Sequence, residues 1–226
     1  MMKMVLTLLA FLFAPGVFAQ QKKLLFEDRF NNDSLGREWI IETSPVKGSA
    51  VSIQKGKLVL DTENGVTAWY KFPLKGNIEI EYTREVIMDS GRNDRLSDLN
   101  QFWMATDPQQ KMFTRKGGFK EYDSLQMYYV GMGGNYNTTT RMRRYDGRGE
   151  LKIVGEYKDS AHLLKANTVY HIRILFINGR TAFFVNGEKY FEFNDPAAFT
   201  EGWFAIRSTK SRQLIDDVRI WQLGAE

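Results

Sequence analysis

Residues 168–193 read TVYHIRILFINGRTAFFVNGEKYFEF. Two Asn-Gly pairs, Asn178-Gly179 and Asn186-Gly187, separate three runs in which apolar residues alternate with polar ones. Asn-Gly accepts the positive φ that a two-residue hairpin turn demands. The stretch therefore predicts a three-strand antiparallel meander. The pattern continues outward. AVSIQKGKLVLDT (50–62) reads as a hairpin turning at Lys55-Gly56. In GNIEIEYTREVIM (76–88), Ile78, Ile80 and Tyr82 alternate with Glu79 and Glu81, the mark of a half-buried strand. DLNQFWMATD (98–107), SLQMYYVGM (124–132) and GWFAIRSTKSRQLIDDVRIWQL (202–223) add further strands. No amphipathic helix, repeat or Pro/Ser linker interrupts them. Many short strands with turns between them predict an all-β sandwich or jelly roll of two antiparallel sheets.

The chain has 226 residues, 43% of them hydrophobic, enough for one domain with a true core. Residues 1–19, MMKMVLTLLAFLFAPGVFA, read as a secretory signal peptide: a lysine, an apolar run, a Pro-Gly break and a small-residue cleavage site. A single domain is expected over 20–226. Loss of Lys3 with the leader would take the formal charge from +4 to +3. No cysteine is present. That excludes thiolate metal sites, cysteine nucleophiles and a lipid anchor of the bacterial lipoprotein kind. An exported chain without disulfides points to the bacterial periplasm or exterior. The modest charge and interleaved acids argue against nucleic acid. No second run is long enough to span a membrane. A monomer is expected, with no cofactor. Asp94, Asp98 and Asp107 lack the spacing of a calcium loop, so no metal is expected.

Taken together, LLFEDRFNNDSLGREWI (24–40), GVTAWYKFPLKGNIEIEYTREV (65–86), the 168–193 meander and the closing strands resemble the concanavalin A-like lectin/glucanase, or laminin-G-like, superfamily. DLNQFWMATDP, NYNTTTRMRRYDG and AHLLKAN resemble small secreted bacterial proteins associated with pectin and rhamnogalacturonan degradation. The opening and closing strands are also similar to the 3-keto-disaccharide hydrolase domain. The resemblance implies carbohydrate handling on the concave sheet. It does not imply hydrolysis. The Glu-x-Asp-x-x-Glu strand of the superfamily's glucanases is missing; Glu79 and Glu81 come too early and lack the rest. Two carboxylates are the minimum for ordinary glycoside hydrolysis.

In NTTTRMRRY, two-residue alternation puts Asn137, Thr139, Arg141, Arg143 and Tyr145 on one face. So polar a set is expected on the outward, ligand-facing side. Arg141 and Arg143 would stand about 7 Å apart there, and guanidinium forks suit sugar carboxylates. Gln101, Trp103 and Gln126 are expected to join them in binding substrate. β-Elimination from a uronate needs a carboxylate neutraliser, a base for the C5 proton and an acid for the leaving oxygen. Tyr128, Tyr145 and His162 are the candidates for base and acid. The expectation is a lyase on an acidic glycan. The alternatives are a non-catalytic carbohydrate-binding module and a 3-keto-glycoside hydrolase or eliminase.

Overall fold

A computed structural model describes residues 22–224. The leader predicted over 1–19 lies outside them. Sixteen strands follow one another: β1 Lys22–Asp28, β2 Trp39–Thr43, β3 Ala50–Gln54, β4 Lys57–Thr62, β5 Val66–Tyr70, β6 Leu74–Lys75, β7 Ile78–Ile87 and β8 Leu99–Thr106, then β9 Gln126–Gly133, β10 Thr139–Asp146, β11 Leu151–Tyr157, β12 Val169–Ile177, β13 Arg180–Val185, β14 Glu188–Asn194, β15 Glu201–Ser208 and β16 Ser211–Leu223. The 168–193 stretch forms the meander β12-β13-β14, with Asn178 and Asn186 at positive φ in its turns. Lys55 and Gly56 turn the β3–β4 hairpin as expected. No helix among the described residues is long and apolar enough to cross a membrane.

Two eight-stranded antiparallel sheets result. One runs β14-β13-β12-β7-β16-β4-β3, with β1 also on β16. The other runs β11-β10-β9-β8-β15-β5-β2, with β6 also on β15. Alternation sends Ile78, Ile80 and Tyr82 of β7 and Ile172, Ile174 and Phe176 of β12 toward the second sheet. They meet Trp103, Tyr128, Val130, Met142, Phe204 and Ile206 in the main core. Glu79 and Glu81 therefore belong to the first sheet, far from the arginine strand. Glu79 is 2% exposed and held by Lys22 and Arg173.

A second apolar cluster covers the opposite, outer face of the second sheet. Trp69, Phe102, Met127, Tyr129, Tyr145 and Ala205 form its floor, and Tyr122 and Leu125 from the long β8–β9 connection form its roof. That connection, residues 107–125, lies across the sheet. Gly65 and Gly117 touch backbone to backbone: a Cβ on Gly65 would sit 1.7 Å from the Gly117 carbonyl oxygen. Gly65→Ala is thus expected to cost about 2–3 kcal/mol and lift the connection. Lower thermal stability with new proteolytic cleavage inside 107–125 would show it; a native-like melt and digest would refute the clamp.

Candidate functional site

Glu42 of β2 pins the connection. Its carboxylate is 3% exposed. It accepts hydrogen bonds from Trp69 Nε1 at 2.7 Å, the Tyr122 hydroxyl at 2.9 Å and the Arg115 amide at 2.7 Å. Arg115 in turn pairs with Asp107 at 2.7 Å, and Arg207 of β15 donates to the Gly117 carbonyl at 3.0 Å. The connection thereby fills the sheet's outer face over β15, β5 and β2.

What stays open is a cavity of about 60 Å³ over β9 and β10. Tyr129, Gly131, Thr139, Arg141 and Arg143 form its floor; Phe119 of the connection, Asp98 and Asn135 wall it. The register sets these residues side by side: Arg141 opposite Gly131, Arg143 opposite Tyr129, and Asn100 of β8 opposite Gly131. Gly131 has no side chain for a physical reason. A Cβ there would come within 2.2 Å of the Tyr129 hydroxyl and 2.7 Å of Asn100 Oδ1, which are themselves hydrogen-bonded at 3.0 Å.

The electrostatics are unusual. Arg143, which lines the cavity, has a buried Nε without a hydrogen-bond partner, and so have three groups behind the lining: Asn100 Nδ2 next to Tyr129, Arg207 Nε next to Phe119, and Asp123 Oδ1. Buried groups of this kind are normally satisfied, so a cluster of them calls for an explanation. Arg143 forms no ion pair among the described residues; its guanidinium lies 5.8 Å from the Tyr129 ring centroid. Arg141 is already paired with Glu156, and Asp98 with Arg95. Burial raises the Asp123 carboxyl above its ordinary range, against the pull of Arg143, Lys120 and Arg207. Burial also pushes the Tyr129 phenol upward, so it is a proton donor at neutral pH.

A buried cation lies beneath. Arg84 of β7 crosses between the sheets and donates to the Asn100 carbonyl at 2.6 Å, the Arg207 carbonyl at 2.7 Å and Gln213 Oε1 at 2.6 Å. Burial lowers its pKa to about 10, still charged at neutral pH. Arg84 fixes the backbones of two strands bearing site residues and adds positive potential under them.

Of the residues expected from sequence, Thr139, Arg141 and Arg143 come together in the cavity. Tyr145 shares their face but is buried in the second apolar cluster, in contact with Arg143. The others are elsewhere. Gln101 and Trp103 face the main core, not the outer face. Gln101 bonds the Tyr82 hydroxyl at 2.8 Å and the Val130 carbonyl at 2.7 Å, and Trp103 Nε1 bonds Thr181 at 2.9 Å. The outward pair on β8 is Asn100 and Phe102. Tyr128 likewise points inward, donating to Asp195 at 2.7 Å, and Tyr129 takes the outer position. Gln126 sits at the far end of β9, about 17 Å from Gly131 along the strand, next to Thr106. Asn137 is not on the strand: it clasps the Leu164 backbone with both side-chain atoms at 2.9 Å. His162 stacks on Tyr157 at 3.6 Å and bonds Asp159 at 2.7 Å, outside the cavity.

Sequence reasoning passed over Asn100, Asp123, Tyr129, Arg207 and Phe119. It also passed over the turn Gly134–Asn137 before β10. Asn135, Tyr136 and Asn137 all have φ between +52° and +60°, a left-handed turn of three non-glycine residues. Such geometry costs about 1 kcal/mol or more per residue. Asparagine accepts it readily; tyrosine does not. Tyr136 is 77% exposed at its apex, with the Arg95 guanidinium 5.4 Å from its ring centroid.

Solved structures share this architecture. A Bacillus subtilis protein of unknown function with a galectin-like fold aligns with a TM-score of 0.73 at 14% identity, over 92% of this chain and 100% of that one. The carbohydrate-binding module CBM66 of Bacillus subtilis aligns with a TM-score of 0.59 at 10% identity, over 84% and 98%. The endo-β-1,3-glucanase of Pyrococcus furiosus aligns with a TM-score of 0.65 at 11% identity, over 92% and 97%. At these identities the likeness establishes the fold: a galectin-like, concanavalin A-like β-sandwich. A search of curated proteins by sequence finds no match. One family model matches, over residues 60–218.

Proposed function

The chain belongs to the family described as a domain of unknown function, DUF6250, and from its own outer-face site we propose that it is an exported carbohydrate-active protein that holds the carboxylate of an acidic saccharide. One observation carries the reading: Arg143 lines the small cavity with no ion pair among the described residues and an unpartnered Nε, and two further unpartnered donors, Asn100 Nδ2 and Arg207 Nε, lie behind the lining residues Tyr129 and Phe119. A uronate carboxylate supplies acceptors for such donors, and charge-assisted bonds of this kind are the strong ones. The cavity admits one functional group rather than a whole ring. That the known folds alike to it include a carbohydrate-binding module and a glucanase supports the substrate class. The segment 1–19 supports export, to the periplasm or beyond, and we take the exported part, 20–226, as one domain acting as a monomer.

The chemistry we assign is β-elimination. Arg143 and Asn100 would neutralise the carboxylate and acidify the C5–H bond. Asp123 would accept that proton as the C5–H pair becomes the C4=C5 double bond. The C4–O bond breaks, and the Tyr129 phenol protonates the departing oxygen. No carboxylate pair is required, in accord with Glu79 and Glu81 lying on the other sheet. A pectin-type uronate fits this set. A 3-keto-glycoside would offer Arg143 no carboxylate, so the cavity favours the uronate. Incubation with polygalacturonate tests it: growth of the unsaturated-uronate absorbance is expected, and its loss in Tyr129→Phe. Saturable binding without absorbance would leave a non-catalytic module, a reading favoured by the burial of Tyr129. Neither binding nor absorbance would refute the site.

The pH dependence follows from Asp123. Its raised carboxyl is neutral below its shifted pKa and repels a bound carboxylate above it. Glu156 is held ionised by Lys158 and Arg141 and contributes no titration there. Affinity for galacturonate is therefore expected to fall as pH rises through the Asp123 transition. Asp123→Asn should flatten that slope; an unchanged profile would remove Asp123 from the site.

A further inference from the structure

We propose that the site reads the end of an acidic saccharide chain, with the terminal carboxylate in the cavity and a sugar ring against Tyr136. The inference rests on the uronate reading above and adds the mode of binding. On an open sandwich sheet, a polymer can lie across all the strands. Here the way is closed on one side. Phe119 walls the cavity toward β15, stacked against the Arg207 guanidinium at 5.2 Å. Beyond it the Gly117 backbone rests on Gly65, and Ser44 of the β2–β3 link bonds the Lys116 carbonyl at 3.0 Å. A chain crossing β10 and β9 therefore meets the body of residues 107–125 before it can pass over β15.

The end of the cavity at the turn between β9 and β10 carries an aromatic platform. Asp98 lines the cavity and pairs with Arg95, whose guanidinium lies by the Tyr136 ring. Asn135, the next residue back, lines the cavity itself. The apolar face of a sugar ring suits an exposed tyrosine beside a carboxylate pocket. The left-handed turn explains how Tyr136 comes to stand out from the sheet: strain held in a rarely used conformation marks positions that serve a contact.

The test uses the protein without its leader and oligogalacturonates of two, four and ten units. Titration calorimetry and light scattering give affinity and stoichiometry. End recognition predicts one protein per chain at every length, with affinity per molecule constant within about twofold from four units to ten. Several proteins per ten-unit chain, with affinity rising with length, would overturn end recognition and leave the uronate site standing. No binding of any oligogalacturonate would overturn both. Tyr136→Ala is expected to weaken the four-unit chain about fivefold to tenfold while leaving free galacturonate unchanged. Equal loss for both ligands would make Tyr136 a structural residue and remove the platform.

Discussion

Glu42→Ala is expected to be the most damaging single substitution in this domain, lowering stability by about 3–5 kcal/mol. Three donors depend on that one buried carboxylate: the Trp69 indole, the Tyr122 phenol and the Arg115 amide. Alanine would leave all of them buried without an acceptor. The expected fall in melting temperature is roughly 10 °C or more. Glu42→Gln keeps one accepting oxygen and should fall between alanine and wild type. The functional consequence is specific. Residues 107–125 carry Phe119 and Asp123, so a loosened connection would open the closed side of the cavity. Hydrogen exchange should rise in 107–125 before it rises in β7 or β12. Uniform exchange over both sheets would mean that Glu42 supports the whole fold and not this connection.

The second large effect concerns recognition. Arg143→Ala is expected to weaken binding of a uronate by about 10- to 150-fold, the 1.5–3 kcal/mol of a hydrogen bond to a charged group. Stability should change by less than about 1 kcal/mol, because Arg143 has no ion pair to lose among the described residues and its Nε is unpartnered. Arg143→Lys keeps the charge but not the fork, and should recover only part of the affinity. Arg141→Ala should do less, since Glu156 already occupies Arg141. An Arg143→Ala protein with wild-type affinity would show that the cavity is not the carboxylate site.

The strand layout was legible in sequence because turn chemistry and alternation are local. Asn178-Gly179, Asn186-Gly187 and Lys55-Gly56 turn where they should, and Arg141, Arg143 and Tyr145 face outward because Met142 between them fills the core. The choice of face on β8 and β9 was not legible. Gln101 looks like a surface residue, yet Tyr82 and the Val130 carbonyl satisfy it inside; Thr181 does the same for Trp103. Once the sheet is covered on both faces, Asn100 and Phe102 are as buried as their neighbours, and polarity no longer tells the faces apart. Residues 107–123 carry no strand or helix pattern, because Phe113 and Tyr122 are scattered through them. Their partners, Trp69 and Phe102, lie far away in sequence or on another strand. The left-handed turn had a partial signal in Asn135 and Asn137, but a tyrosine between them argues against that conformation until the fold is seen.

Discrimination between charged and neutral sugars should reside at Arg143. The deciding measurement is a calorimetric titration of wild type and Arg143→Ala with digalacturonate and with its neutral counterpart, galactobiose. Wild type is expected to prefer the acid by at least about tenfold, and Arg143→Ala to lose the preference. Equal affinity of both proteins for both sugars would contradict it.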